Sequence, residues 1–263
     1  MPRQARAISP SDYYHVIMRG NNRENIFAYT EQKNFFINLL KEQCIDGLAE
    51  ISAYCIMDNH VHIVTKTEIG DLAKAVKSIN TKYAMRFNTQ RNRVGHVFQD
   101  RFKSEIIKDD KHLLQVVRYV HNNPVKAKMV KAACDYKYSS YNEYINENVI
   151  ISSIQKKFIM EYFSDSTAQF IEYHLASDDN EYLETKEDIQ KMREEKGQEI
   201  ISDYILAKGL KEGKQVIANA VYLEELTYEL LTKSRLSHRQ IASLLGVGRG
   251  IVHYVKLEKN SRA

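Results

Sequence analysis

The chain has 263 residues, 43% of them hydrophobic and 27% charged, with a net charge of +4, which fits an ordinary globular protein of one or two domains. No apolar run approaches the ~18 residues that span a bilayer, and no apolar segment follows the basic N-terminus, so we expect neither a membrane protein nor a secreted one. The three cysteines, Cys44, Cys55 and Cys134, are scattered and odd in number, which favours free thiols in the cytoplasm.

Strand-like and helix-like patterns alternate through the first 107 residues. Strands are predicted at Asp12–Arg19, Ile51–Met57, His60–Thr65 and Phe98–Ile107, from runs of β-branched and aromatic residues. Helices are predicted from Thr30, as the capping residue, to about Gly47, and from Asp71 to about Asn88. The order β-α-β-β-α-β predicts an α+β, ferredoxin-like antiparallel sheet with both helices on one face and the other face free.

The rest of the chain has a helical pattern. A helix is predicted from Asp110 to Asn122, and beyond about residue 146 the chain becomes acidic. The net charge is +6 over residues 1–150, −6 over 151–200 and +4 over 201–263, so two basic segments that could attract phosphates flank an acidic one. We therefore predict a first domain at 1–145, an acidic helical connection at 146–221 and a separate helical unit at 222–263.

Two histidines occur on the third predicted strand. Because side chains alternate along a strand, His60 and His62 share one face, while Val61 and Ile63 lie on the other. Two imidazoles in this arrangement can reach a single metal ion, although a histidine on a strand is more often a polar residue that faces water.

A tyrosine and an asparagine lie one turn apart near the end of the helix that follows the fourth strand. Leu113, Val116, Val117 and Val120 form its apolar stripe, and Tyr119 and Asn123 lie on one flank of that stripe. Pro124 disfavours helical geometry at the residue before it, so the helix is expected to end there. Taken alone, Tyr119 is more often an ordinary residue at a helix surface, because the chain contains 17 tyrosines.

Together these segments resemble a known family. Residues 58–64, Asp-Asn-His-Val-His-Ile-Val, are similar to the His-hydrophobic-His motif of the HUH endonucleases. The wider set resembles the single-tyrosine transposases, and most closely their REP-associated branch, whose sheet is RRM-like or ferredoxin-like. The resemblance covers about residues 8–145, in order and spacing, and its other segments are Tyr14–Arg23, Phe98–Ser104 and Arg118–Ala127.

The resemblance implies a chemistry and a set of roles. His60 and His62 would bind a divalent metal, Mg²⁺ or Mn²⁺, with Asn123 as a third ligand. Tyr119 would be the nucleophile that cleaves single-stranded DNA, leaving a 5′-phosphotyrosine and a 3′-hydroxyl that can rejoin strands. The expected partners are single-stranded DNA in the form of hairpins or palindromic repeats, and a second copy of the chain if it is a homodimer rather than a monomer. Such a protein would be cytoplasmic and associated with the nucleoid.

Several further residues are candidates for contacts with DNA. Arg19, Arg23, Arg101 and Lys103 could bind phosphates, or could belong to a solvated surface. His15 could lie near the site, but a histidine in the core is the more common case. Four tyrosines could stack on bases, although their spacing is more typical of core packing; they are Tyr136, Tyr138, Tyr141 and Tyr144.

Residues 236–255 resemble a helix-turn-helix. Ser237 is expected to cap the first helix and Gly246 to supply the turn. Arg249, His253 and Lys256 would then face a groove of duplex DNA. A packed helical hairpin that binds no DNA is the alternative.

The sequence leaves three functions open. A transposase-type endonuclease accounts for the paired histidines together with Tyr119. A non-catalytic DNA-binding regulator derived from a transposase would need only the helix-turn-helix. A metal-dependent phosphoesterase would use water in place of Tyr119.

Overall fold

The computed structural model describes residues 6–146, 149–176, 182, 186–211 and 213–261. The chain forms two compact units, residues 1–183 and 184–263. Within the described ranges, no helix combines the length and the apolar character needed to cross a membrane.

The first unit is built on a four-stranded antiparallel sheet. Its strands are β1 (Tyr13–Arg19), β2 (Glu50–Ile56), β3 (His60–Lys66) and β4 (Lys103–Ile106), in the spatial order β2-β3-β1-β4. The predicted α+β class and the order β-α-β-β-α-β are therefore confirmed. β4 is shorter than the strand predicted at 98–107, because Phe98 makes only an isolated bridge to Gly20 before the chain bends.

Two helices, α1 (Thr30–Ile45) and α2 (Ile69–Gln90), pack against each other. Their contact is an aromatic cluster in which the ring of Tyr83 lies 5.0 Å from that of Phe27 and 5.6 Å from that of Phe36. The prediction that Thr30 caps α1 was wrong. Tyr29 is the capping residue, and its backbone N–H donates to the side chain of Gln32.

The histidine-bearing face of the sheet is covered, so the prediction that it is free was also wrong. The helix α3 (Asp110–Lys126) packs on β2 and β3, and α5 (Ser153–Glu161) packs on β2. Phe158 of α5 stacks on Tyr13, whose side chain alternates to the same face as that of His15. Part of this face is covered by residues beyond 146. Their sequence has a helical pattern, which did not indicate the surface against which they would pack.

The helix α3 continues to Lys126 with Pro124 inside it, past the end predicted at Asn122. Pro124 lacks an N–H, but the backbone closes around it because Ala127 donates to the carbonyl of Asn123 and Met129 to that of Pro124. Tyr119 and Asn123 are therefore true neighbours one turn apart.

Two short helices, α4 (Tyr141–Ile145) and α6 (Thr167–Leu175), complete the first unit. Tyr136, Tyr141 and Tyr144 are buried in its core, as predicted, and Tyr138 is partly buried against it. The helix α6 docks on α3, where Arg118 lies over the ring of Tyr173.

The second unit is helical throughout the part that the structure describes. It contains α7 (Lys186–Ala207), α8 (Gly213–Ile217), α9 (Ala220–Lys233), α10 (His238–Leu245) and α11 (Arg249–Ser261). Its core includes Leu226, Leu230, Ile241 and Val252. The expected cap and turn are both present: Ser237 accepts a hydrogen bond from the backbone of Gln240, and Gly246 adopts a left-handed φ of 68°.

Candidate active site

The sheet register brings three histidines and an arginine onto one face. His60 pairs across the sheet with Arg19, and His62 pairs with Ile17, whose side chain shares a face with His15. The ring centroids of His60 and His62 are 4.9 Å apart, and those of His62 and His15 are 5.3 Å apart. The predicted histidine pair is therefore part of a larger imidazole cluster.

His15 contacts His62 directly inside the protein. Both side chains are fully buried, and Nε2 of His15 lies 3.0 Å from Nδ1 of His62. Burial lowers the pKa of His15 to about 3, and burial followed by the neighbouring His60 lowers the pKa of His62 well below its ordinary value. Both rings are therefore neutral at physiological pH, which is the form in which imidazole binds a metal.

His60 is oriented by groups at the end of its strand. Its Nδ1 lies 2.6 Å from Oδ1 of Asn59 and 3.5 Å from Nη2 of Arg19. Because the amide oxygen can only accept, Nδ1 of His60 donates to it, and Nε2 is then the nitrogen whose lone pair could bind a metal.

Tyr119 extends from α3 toward these histidines. Its ring centroid is 5.6 Å from that of His62 and 5.9 Å from that of His15, with both rings meeting it edge to face. Only 3% of Tyr119 is exposed. The structure thus brings together His60, His62 and Tyr119, the residues that the sequence singled out on separate elements.

Two residues that the sequence did not single out contact Tyr119. The ring of Tyr182 stacks on it at 4.4 Å with an angle of 29° between the planes. The ammonium of Lys126 lies over the same ring, 4.6 Å from its centroid. Lys126 follows Tyr119 by seven residues, so helical spacing would have indicated the contact had α3 been extended past Pro124. Nothing in the local sequence pattern indicates Tyr182.

Asn123 is buried one turn after Tyr119 on the same helix. Its amide nitrogen donates to the carbonyl oxygen of Tyr119 at 3.1 Å. A bond from the nitrogen leaves the amide oxygen as the atom that suits a hard cation. The assignment of Asn123 as a third ligand stays a prediction.

The predicted phosphate contacts differ in their positions. Arg19 is buried beside His60, whereas Arg23 is exposed in the segment that follows β1. Lys103 pairs with Ile17 and so lies on the histidine face, at the exposed start of β4. Arg101 is exposed in the bend before β4. Arg19 and Lys103 therefore flank the histidines, while Arg23 and Arg101 lie on the neighbouring connections.

The predicted DNA contacts of the second unit lie on α11. Arg249 is exposed at the start of the helix and His253 is exposed one turn later, with its ring 5.6 Å from that of His238. The side chain of Lys256 lies outside the described residues.

The donor set suits a divalent metal with open coordination positions. The rings of His60 and His62 are 4.9 Å apart, and the protein contacts the Nδ1 atom of each. Among the residues that the structure describes, no group of three His, Cys, Asp or Glu side chains could hold a metal ion, so a closed structural site is not built there. A pair of histidines completed by an amide oxygen fits Mn²⁺ or Mg²⁺.

Comparison with known proteins agrees with this geometry. A family model described as "Transposase IS200 like" matches residues 9–123, the segment that carries the sheet, the histidines and Tyr119. This segment is a transposase domain of that family. A protein of Haemophilus influenzae that bears the name of a REP-associated tyrosine transposase is 27% identical over 148 residues, which are 52% of this chain and 82% of the relative.

Two solved structures resemble the chain that contains the transposase domain. One is a REP-associated tyrosine transposase bound to a REP hairpin, with 19% identity and a TM-score of 0.49 over 69% of this chain and 95% of the other. The second is a protein from Deinococcus radiodurans R1, described as a transposase, with 17% identity and a TM-score of 0.31 over 46% of this chain and 95% of the other.

Proposed function

We propose that the transposase domain cleaves and rejoins single-stranded DNA through a 5′-phosphotyrosine on Tyr119. The observation that supports this function most strongly is the position of the Tyr119 ring, which lies against His62 and His15 in a cluster that continues to His60. A phenol that serves only as a helix surface residue would not be buried against two histidines.

The roles follow from the positions of the side chains. The oxygen of Tyr119 loses its proton and attacks the scissile phosphorus, the bond from phosphorus to the 3′ oxygen breaks, and the departing 3′ oxygen takes up a proton to become a hydroxyl. The phosphate stays on the tyrosine, so a 3′-hydroxyl can attack it in turn, releasing Tyr119 and restoring a phosphodiester. No nucleotide triphosphate is needed for this exchange.

A metal would contribute what the side chains lack. We propose that His60 and His62, with Asn123, would hold a divalent cation, Mg²⁺ or Mn²⁺, which when bound draws negative charge from the scissile phosphate. His15 would position His62, because its contact with Nδ1 fixes the ring and directs Nε2 to the metal. His15 is a positioning residue and takes no part in the chemical step.

Lys126 is proposed as a second source of positive charge at the nucleophile. Its ammonium lies over the Tyr119 ring. A phosphate that reaches the Tyr119 oxygen would come within range of this ammonium, as well as of Arg19 beside His60. These two cations would position the strand rather than specify its sequence.

The substrate is proposed to be single-stranded DNA presented beside a hairpin. The relative from Haemophilus influenzae is named for its association with REP repeats. Arg23 and Arg101, exposed on the connections beside the sheet, are placed to contact the phosphates of such a substrate. The protein would act on the nucleoid as a monomer or homodimer.

The function is tested by trapping the covalent complex. We expect a 3′-labelled single-stranded oligonucleotide containing a hairpin to yield, with Mn²⁺, a protein-linked label that survives denaturing electrophoresis. Tyr119→Phe should abolish this adduct, whereas Tyr29→Phe, which alters a tyrosine that is 60% exposed on another element, should not.

Each alternative predicts a different pattern in the same assay. Cleavage that continues in Tyr119→Phe without any adduct would identify a phosphoesterase that uses water. DNA binding without cleavage in the unaltered chain, under all metals tried, would identify a non-catalytic regulator. Either result overturns the proposal.

A further inference from the structure

The second unit carries a strong charge asymmetry. Residues 233–263 contain seven Lys and Arg against one acidic residue, whereas residues 184–232 contain seven against eleven. The boundary between the two segments falls at the end of α9, so the basic segment consists of α10, α11 and the turns beside them. The net charge is therefore +6 over residues 233–263 and −4 over residues 184–232.

The packing of α10 and α11 leaves one face of α11 exposed. Val252 and Val255 are buried against the unit, and α11 packs on α10 and α9. Gly250, His253 and Tyr254 lie on the opposite side and are exposed, Tyr254 by 63%. Arg249 at the start of α11 and Arg239 on α10 are exposed basic residues on either side of the turn.

Gly250 lies in the first turn of α11, where the unit gains nothing from a glycine. A Cβ at this position would meet no atom within 4 Å, and the same holds at Gly248. Glycine inside a helix costs about 0.5–1 kcal/mol relative to alanine, so an exposed one without a packing reason suggests that another molecule approaches the backbone closely. Gly197 of α7, by contrast, has a packing reason to be glycine, because a Cβ there would lie 2.8 Å from the side chain of Leu244.

We infer that the second unit binds duplex DNA, with the exposed face of α11 in the major groove. The groove is about 12 Å wide and admits one α-helix, which is the shape that α11 presents. The excess of basic residues matches the phosphates that border the groove, with Arg239 and Arg249 placed to contact them. This inference does not depend on the proposed nuclease function, since it concerns different residues and a different form of DNA.

Duplex DNA fits this face better than a single strand does. Binding of single strands without sequence preference relies on several aromatic platforms, and within the described part of α10 and α11 the exposed aromatic residue is Tyr254. Instead, α10 and α11 are joined by the short turn Gly246–Gly248, and α11 is a rigid helix that could enter a groove.

The inference is tested by duplex binding of the full-length chain in EDTA, where no cleavage is expected. Fluorescence anisotropy with a labelled 30-base-pair duplex would be recorded across a range of KCl concentrations. We expect the double variant Arg239→Glu and Arg249→Glu to weaken binding at least tenfold and to reduce the salt slope by about 2. The matched control, Lys211→Glu with Lys214→Glu, reverses two exposed lysines elsewhere in the unit and should change the affinity less than twofold.

A second variant separates binding from folding. Gly250→Leu adds bulk where the protein leaves open space, so it should keep the thermal midpoint of the chain and still weaken duplex binding by several fold. Unchanged duplex affinity in both the Arg239/Arg249 and Gly250 variants would overturn the inference. An equal loss of affinity for an unstructured single strand would also overturn it, since the face would then not be specific for duplex. Because cleavage is not measured, failure of the nuclease proposal would leave these outcomes intact.

Discussion

His15 shows how much a single buried residue can add to a two-residue motif. His62 can present Nε2 to a metal only if its proton is on Nδ1, and the atom beside Nδ1 is Nε2 of His15. Where His15 accepts that proton, the contact fixes both the tautomer and the ring of His62. The His-x-His motif therefore depends on a third imidazole on the neighbouring strand.

The variant His15→Gln should therefore weaken metal binding. Loss of a partner that orients a metal ligand typically costs 10- to 100-fold in affinity, and we expect an effect of at least tenfold on Mn²⁺ binding measured by titration calorimetry. His96→Gln, which alters an exposed histidine, is the control and should have no effect. Equal Mn²⁺ affinities in the His15 and His96 variants would rule out the positioning role.

A second test concerns the positive charge of Lys126. Its ammonium lies near Tyr119 but is exposed, so water screens its charge and a moderate effect is expected. Lys126→Gln should slow adduct formation on the order of tenfold, and Lys126→Arg should retain most of the rate because the positive charge remains. Equal rates in both variants and the unaltered chain would show that Lys126 has no part in the reaction.

The sequence predicted which residues are neighbours where the regular repeat of a strand or a helix determines which side chains share a face. The alternation of a strand placed His60 with His62, and the turn of a helix placed Tyr119 with Asn123. It failed for Tyr182, which lies 63 residues beyond Tyr119 and reaches it only through the tertiary fold. The approach of His15 to His62 depends on strand register, which the sequence indicated only through the order of the strands.

The packing of Tyr182 over Tyr119 joins two distant parts of the chain, and the sequence did not predict it. The Tyr182 ring stacks on that of Tyr119, the proposed nucleophile, and we expect it to move aside when a DNA strand reaches Tyr119. A stacked aromatic pair contributes about 0.5–1.5 kcal/mol of stabilising free energy beyond that from the burial of apolar area. This free energy corresponds to a factor of about two to ten in the equilibrium between the stacked and unstacked forms.

The variant Tyr182→Ala should accordingly raise the rate of adduct formation, by up to about tenfold. Tyr182→Phe keeps the stacked ring and should react at the rate of the unaltered chain. The rates would be compared in single-turnover experiments with the labelled oligonucleotide. A slower reaction in Tyr182→Ala would instead assign the ring to substrate binding.

The contact between α3 and α6 depends on a chain of neutral hydrogen bonds. Nδ1 of His174 donates to the carbonyl of Phe170 at 2.8 Å, so its Nε2 must accept, and Nδ1 of His121 donates to it at 3.0 Å. Nε2 of His121 then accepts from the hydroxyl of Ser140 at 2.9 Å. Both rings satisfy all their nitrogens only while they are uncharged.

This chain predicts that stability depends on pH. Burial lowers the pKa of His174 to about 4, and burial followed by His174 lowers the pKa of His121 well below its ordinary value. The unfolded chain binds these protons near pH 6.5 and the folded chain does not, so stability is complete above pH 6.5 and falls as the pH approaches 4. His174 alone should account for a loss on the order of 3 kcal/mol across this window.

The measurement is the free energy of unfolding in urea at several pH values between 4 and 7. His174→Met should lose the His174 part of the slope, whatever its stability at pH 7. The exposed His96→Gln variant should keep the full slope. A slope that is identical in the His174 variant and the unaltered chain would show that the chain of hydrogen bonds does not control the pH response.

For the whole molecule, the sequence predicted the class and the order of the strands because each element carried its own pattern. It did not predict how residues 149–176 would pack, since amphipathic helices show which face is buried but not which surface buries it. The structure places α5 and α6 in the first unit, with α5 on the sheet face that was expected to be free and α6 on α3. The charge pattern along the chain does not follow the division into units either, because the second unit begins at residue 184 and includes part of the acidic segment.

The account as a whole depends on which atom of the protein becomes linked to DNA. The direct measurement is mass spectrometry of proteolytic peptides from the chain, after reaction with a hairpin-containing single strand and Mn²⁺ and digestion of the DNA to a short 5′-phosphate remnant. The account predicts that the remnant is attached to Tyr119. Attachment to Tyr182, which stacks on that ring, or to any other residue would contradict it.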